Sequence, residues 1–341
     1  MNRLASKILV SCATIGLALG QTAEGSKAAG NVMKLTKWML TVSDLEKSLA
    51  FYHEAFGFEI NAPMQIRKAA PGNAAILKLT NSPEGTLFRN ITTHSSGVDW
   101  NLELLEFANP DRHPVKFRLQ DPGATYLRFQ VRDIDKVVTA ALKNGGAINS
   151  VGGRVLTIGR DRAVMLKDPD GIFLEVTQPE VIPATAPADG MVFGGNFAAV
   201  VKDVDRAVSF YKQQLGLENR IGDWNASENG MKIFGTPGAQ MRRGSIFVPD
   251  TKLQLEFIQF KNIDTNPVRL GIADPGAGSI GIQVRDIETA AAAFSAHGGA
   301  IETQGGITWR PNGSGASFVR DLNGFLVELN LVAPSLPSTA K

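Results

Sequence analysis

The pentapeptide QVRDI occurs twice in this chain, at 130–134 and again 153 residues later at 283–287. The echo extends well beyond five residues. KWMLTVSDLEKSLAFYHEAFGFEI (37–60) answers to NFAAVVKDVDRAVSFYKQQLGLEN (196–219), NLELLEF (101–107) to QLEFIQF (254–260), NGGAI (144–148) to HGGAI (297–301), and KDPDGIFLEV (167–176) to RDLNGFLVEL (320–329). From Glu103 onward the offset is constant at 153; near Asp44 and Asp203 it is 159, so the second half has lost residues only in its middle strands. Several segments recurring in the same order mean that a whole domain was duplicated. Any fold for this chain must therefore be built twice.

A fainter repeat lies inside each half. TVSDLEKSLAFYHEAFGF and QVRDIDKVVTAALKNGGA both run from a strand into Asp, then a helical pattern, then glycine. Leu40 and Val42 alternate with Met39 and Thr41, as in a strand buried on one side. Ser43 or Asp44 is placed to cap the first helix, and Asp133 the second, by accepting bonds from free N–H groups. Leu45, Leu49, Tyr52, Ala55 and Phe56 keep helical spacing, and Gly57 and Gly145-Gly146 stop the helices because glycine accepts a left-handed backbone. Short strands follow each. The unit is β-α-β-β-β, four times over, which gives an α+β chain of two tandem domains at 34–180 and 192–333. The proline-bearing stretch QPEVIPATAPADG (178–190) separates them, with 181–191 as the linker.

Length and composition agree with two soluble domains: 341 residues, 43% apolar and 20% charged. The net charge of +2 comes from 35 basic and 33 acidic residues with no block of one sign, which argues against nucleic acid as a partner. The first residues differ in kind. Arg3 and Lys7 precede an apolar run at 8–20, too short to span a bilayer, and Ala18 and Gly20 supply small side chains before Gln21. Residues 1–20 are expected to be a signal peptide, which places the mature protein in the periplasm or outside the cell. The single cysteine, Cys12, lies within that segment, so disulfides, thiolate metal sites and a cysteine nucleophile are not expected.

These motifs resemble the vicinal oxygen chelate superfamily of glyoxalase I, extradiol dioxygenases and bleomycin-resistance proteins. VSDLEKSLAFYHEAFGF, ELLEF and LEFIQF, QVRDI followed by NGGA or HGGA, and DPDGIFLEV carry the resemblance across nearly the whole chain beyond the leader. It implies that two βαβββ modules curl into a cup-shaped mixed sheet holding the ligand. In metal-using members four side chains meet there, usually a histidine near the start of each module's first strand and a carboxylate on its last. At the matching places this chain has Lys37, Glu103, Tyr126 and Glu175 in the first half, and Asn196, Glu256, Ser279 and Glu328 in the second. All four glutamates are kept and every histidine is gone.

Lysine at neutral pH has no lone pair for a metal, and asparagine, serine and un-ionised tyrosine are poor ligands beside imidazole. No cofactor is expected and no metal ligand is assigned; a hard divalent metal held loosely by two carboxylates and water is the alternative. Lys37 is placed to set an ammonium within reach of Glu103 and Glu175, either as a substitute cation for a ligand oxygen or as a space-filling ion pair. Tyr126 either bonds a ligand or covers the cup floor. Glu256 and Glu328 either converge as an acid–base pair or find Arg242, Arg243 or Arg320. Trp309, among glycines, is the candidate rim contact, and whether the halves complete one another's cups is open. His53, His94, His113 and His297 do not pair at metal spacing.

Three functions follow: a small-molecule binder without metal, a glyoxalase-like lyase/isomerase or dioxygenase-type enzyme using glutamate with Lys37 or Tyr126, and an interaction module with closed cups. The expected partner is a small organic ligand, with no nucleic acid and no membrane span, in a monomer or homodimer.

Overall fold

The computed structural model describes residues 30–109, 112–113, 117–248 and 254–333. The expected signal peptide and Cys12 lie outside them. Module 1 contains β1 (Val32–Val42), α1 (Leu45–Phe56), β2 (Glu59–Ile60), β3 (Ala70–Pro71), α2 (Ala74–Leu79), β4 (Leu87–His94) and β5 (Asn101–Ala108). Module 2 contains β6 (Thr125–Val131), α3 (Ile134–Lys143), β7 (Ala147–Ile148), β8 (Leu156–Ile158), β9 (Asp161–Lys167) and β10 (Phe173–Gln178). Module 3 contains β11 (Val192–Val200), α4 (Val204–Leu215), β12 (Glu218–Ile221), α5 (Glu228–Ile233), β13 (Gln240–Phe247) and β14 (Gln254–Lys261). Module 4 contains β15 (Gly278–Val284), α6 (Ile287–Ala296), β16 (Ala300–Ile301), β17 (Thr308–Trp309), β18 (Gly315–Arg320) and β19 (Leu326–Leu331). This is an α+β fold of four βαβββ units. The odd-numbered modules add a short helix, α2 or α5, that the periodicity does not announce.

Each long helix starts on the aspartate of the repeated motif. Asp44, Asp133, Asp203 and Asp286 accept from the backbone N–H three residues on, at 3.0–3.1 Å, which supplies a partner to an otherwise free N–H. Gly57 and Gly216 end α1 and α4 in the left-handed conformation.

The strands pair across the halves. One sheet runs β16-β18-β19-β15-β1-β5-β4-β2 and the other β12-β13-β14-β11-β6-β10-β9-β7. Module 1 therefore shares a sheet with module 4, and module 2 with module 3; we term these the outer and inner cups. Antiparallel pairs sit at their centres, β1 with β15 in the register Lys37 to Gly281, and β6 with β11 in the register Arg128 to Asn196. The sequence halves are joined differently, through helices and turns. Tyr52 on α1 donates to Asp168 Oδ2 (2.9 Å) in the β9–β10 turn, and Tyr211 on α4 donates to Asp321 Oδ2 (3.3 Å) in the β18–β19 turn.

Period-2 alternation then sorts side chains between two environments. Trp38, Leu102, Phe129, Phe197 and Ile280 face away from the cups and join the helices in one apolar core. Trp38 and Trp100 stack there at 3.9 Å, and Phe129 and Phe197 from the other sheet close on Trp38. The concave faces carry their own apolar clusters. Leu79, beside Met39, Leu105, Phe107, Phe318 and Leu326, fills part of the outer cup; Met231, Ile233 and Phe234, beside Tyr126, Phe173 and Ile258, fill part of the inner one. The two short helices thus plug the cups. Among the described residues no helix is long and apolar enough to cross a membrane.

Candidate functional site

In the outer cup, β1, β5 and β19 bring three of the expected residues together. Lys37 Nζ lies 2.5 Å from Glu103 Oε2 and 2.8 Å from Glu328 Oε2. The carboxylate partner expected within the same half, Glu175, is on the other sheet, because β1 pairs with β15 and so shares a cup with β19 instead of β10. Asn90 on β4 donates to the remaining Glu103 oxygen. Ser279 lies on the same concave face, opposite Met39. Burial pulls the Lys37 pKa down, but Glu328 and Glu103 outweigh it and hold the ammonium above the ordinary lysine range. Lys37 is therefore a fixed cation at neutral pH and has no lone pair to act as base or nucleophile.

The inner cup brings together Tyr126, Glu175, Asn196 and Glu256 with two arginines. Arg128 on β6 lies 3.0 Å through Nε from Glu175 and 2.7 Å through Nη1 from Glu256. Arg243 on β13 closes the square, with Nη2 3.1 Å from Glu175 and Nη1 2.9 Å from Glu256. Asn196 donates to Glu256 Oε1 at 3.1 Å and accepts from the Gln254 N–H at 3.2 Å. Burial alone would raise the Glu256 pKa, yet Arg128 and Arg243 hold it below the usual range, so it is a poor base. The Tyr126 phenol is fully buried beside these charges, its pKa raised chiefly by burial, and its hydroxyl has no hydrogen-bond partner among the described residues.

Glu256 and Glu328 belong to different cups and do not converge. Glu256 finds Arg243, whereas Arg242 pairs with Asp205 and Arg320 with Glu302. Arg128 was the residue sequence reasoning missed. TYLRFQV puts it two positions beyond Tyr126, hence on the same strand face, so the alternation carried the signal. Trp309 stands half exposed against Gly315 and lines no cavity described here. His113 is exposed beside Asp274, and the rings of His53 and His297 meet backbone carbonyls near their helix ends.

Neither donor set fits a divalent metal. In each cup the two carboxylates already bind an ammonium or guanidinium, and the other groups are amide, hydroxyl and phenol, none a strong ligand. Among the described residues no three His, Cys, Asp or Glu side chains gather as a metal site.

A cavity of about 410 Å³ opens at the mouth of the inner cup, beyond the Arg–Glu square. Arg128, Gln130, Thr177, Asn196 and Gln254 form its polar floor and Trp100 part of a wall. The interdomain segment roofs it at Pro183–Pro187, tied down by Arg132, which donates to the carbonyls of Pro187 and Gly190. Gly97 lies in the wall, where a side chain is impossible: a Cβ would stand 1.7 Å from the Val192 carbonyl oxygen.

The sequence model for the Glyoxalase/Bleomycin resistance protein/Dioxygenase superfamily matches residues 34–176 and 195–329. Lactoylglutathione lyase GLX1 of Arabidopsis thaliana is 26% identical over 181 residues, and a putative lactoylglutathione lyase of Brassica oleracea var. gemmifera is 26% identical over 178. The chain spans about half the length of these curated relatives, 52% in both directions. In fold it is similar to glyoxalase I from Zea mays (TM-score 0.52, 17% identity, 87% of this chain and 92% of that one). It is likewise similar to a putative dioxygenase from Bacillus subtilis (TM-score 0.52, 13% identity, 89% and 86%). With the family model covering both halves, and four βαβββ modules forming two cup-shaped sheets, the chain belongs to the glyoxalase/bleomycin resistance protein/dioxygenase superfamily.

Proposed function

We propose that this protein binds a small organic molecule in the inner-cup cavity, without a metal, and that Arg128 anchors a carbonyl or carboxylate oxygen of that molecule. The observation that carries the reading is the cavity of about 410 Å³, a volume suited to a small ligand, with a guanidinium in its floor. Nη1 of Arg128 donates to Glu256 and Nε stands 3.0 Å from Glu175 without completing a hydrogen bond, and Nη2 makes no hydrogen bond among the described residues. A planar oxygen acceptor matches that free edge, and the amides of Gln130 and Gln254 add neutral donors and acceptors. Turnover of the lyase kind is less well supported, because Glu256 is a weakened base and Lys37 carries its proton permanently. Residues 1–20 support export, so N-terminal sequencing of protein recovered outside the cytoplasm should begin near Gln21.

The binding reading is tested by thermal shift with benzoate, as an aromatic acid, and diacetyl, as a dicarbonyl. At ten times Kd either ligand raises Tm by about 3–5 °C, and Ala186→Trp, which fills the roof, abolishes the shift while leaving the free protein folded. No shift with either compound up to about 20 mM, the weak end of specific binding, or an unchanged shift in Ala186→Trp, overturns it.

A further inference from the structure

The two cups hold their central cation in opposite ways. Under the internal repeat, Lys37 corresponds to Asn196 and Gly281 to Arg128. These four are not scattered. Lys37 faces Gly281 across the β1–β15 pair, and Asn196 faces Arg128 across the equivalent β11–β6 pair. In the outer cup the cation comes from β1 and its partner is glycine; in the inner cup it comes from β6 and its partner is short. Space explains the linkage. A Cβ on Gly281 would stand 2.8 Å from Lys37 Cγ and 2.8 Å from Thr36 Oγ1, so the lysine stem occupies the room a side chain there would need. In the inner cup the position of Thr36 is Gly195, and the room goes to Arg128.

The result is the same in both. Two glutamates from different modules converge on one side-chain cation: Glu103 and Glu328 on Lys37, Glu175 and Glu256 on Arg128. Among the described residues no second cation pairs with Glu103 or Glu328, since the counterpart of Arg243 is Asn90. Its cluster of Lys37 with two carboxylates therefore carries a net negative charge, whereas the inner square is neutral.

We propose that Lys37 and Arg128 take the place of a bound cation, supplied by opposite members of one equivalent cross-strand pair, and that the outer cup is a divalent-cation position held closed by Lys37. The inference is independent of ligand binding in the inner cup. Withdrawing the lysine stem leaves Glu103, Glu328 and the Asn90 amide oxygen after rotation around one space, with Ser279 on the same concave face. That is an all-oxygen set for a hard ion such as Mn²⁺.

The test uses MnCl2 and the full chain. Wild type shows no stoichiometric Mn²⁺ by electron paramagnetic resonance and no Tm change; Lys37→Ala binds one Mn²⁺ per chain at least tenfold more tightly than wild type and gains about 3–5 °C. Lys37→Met, whose stem still fills the space, gains nothing. Should Lys37→Ala be unfolded without metal, MnCl2 restores its folded circular-dichroism spectrum. A second measurement transplants the inner pair: Gly281→Arg alone lowers Tm by roughly 10 °C, and Thr36→Gly with Lys37→Asn in the same chain recovers at least half of it. Stoichiometric Mn²⁺ in wild type, no gain or rescue in Lys37→Ala, or a triple variant no more stable than Gly281→Arg overturns the proposal.

Discussion

Replacing Arg243 with methionine should cost about 3–5 kcal/mol of stability, the range found when one partner of a buried ion pair is removed. Glu175 and Glu256 are each only 5% exposed at the side chain, and Arg243 is 23% exposed. Without Arg243, Arg128 alone must balance two carboxylates, and Glu175 loses both bonds it receives from Nη2. The penalty is one of charge imbalance more than of lost contact. It follows that Arg243→Met with Glu175→Met, which leaves the balanced pair Arg128 and Glu256, should be more stable than either single variant. Urea unfolding of the four proteins at pH 7 measures this. If the double variant is the least stable, with the two losses simply adding, the square is not acting as one electrostatic unit.

Stability should also fall as pH rises from about 4 to 7. Burial is the main reason the Asp168 pKa is pushed up to about 7, and the nearby Asp170 charge adds to it; the N–H groups of Ile172 and Asp170 and the Tyr52 hydroxyl oppose the shift. In the unfolded chain the same group titrates near 3.9. Between these values the folded state holds a proton that the unfolded state has released, so deprotonation works against folding, by about 4 kcal/mol at most once pH exceeds 7. Asp321, beside Tyr211, is raised for the same reason and adds in the same direction. Asp168→Asn copies the protonated acid: its oxygen still accepts the two N–H groups, and its amide can donate to the Tyr52 oxygen. The stability of the variant relative to wild type should rise steadily from about pH 4 to pH 7 and level off above it. A difference that does not change with pH would refute the assignment.

Much of the architecture was legible in the sequence because it is written in local chemistry. The cap at Asp44 needs only its own helix, and the alternation through Leu40 and Val42 needs only its own strand, although Met39 and Thr41, on the face expected to be open, are buried in the cup as well. Pairing is another matter. Alternation says which face a residue occupies but not which strand lies beside it, so it puts Lys37 on a concave face without showing that the second carboxylate comes from β19 and not from β10. The same limit hid the plugs. Leu79 and Phe234 cover the cups from short helices in the middle of their modules, where no motif repeats. Arg128 is within reach of the alternation rule, since it shares a strand face with Tyr126; the position that holds histidine in relatives lies two residues upstream of it.

Nested pairing also sets the order in which the chain can close as it leaves the ribosome. The inner strands β6 and β11 lie in adjacent modules and can meet soon after both emerge. β1 precedes the other described strands, yet its antiparallel partner belongs to module 4: Arg285, at the far end of that pairing, bonds to Asn31 across 254 residues. Until module 4 has emerged, β1 has an unfilled edge open to pairing with another chain. Lys34 and Lys37 lie on that strand, and charged side chains of this kind discourage such encounters. Lys37 thus serves twice, as a charge on the edge of the nascent strand and as the cation between Glu103 and Glu328 in the finished cup.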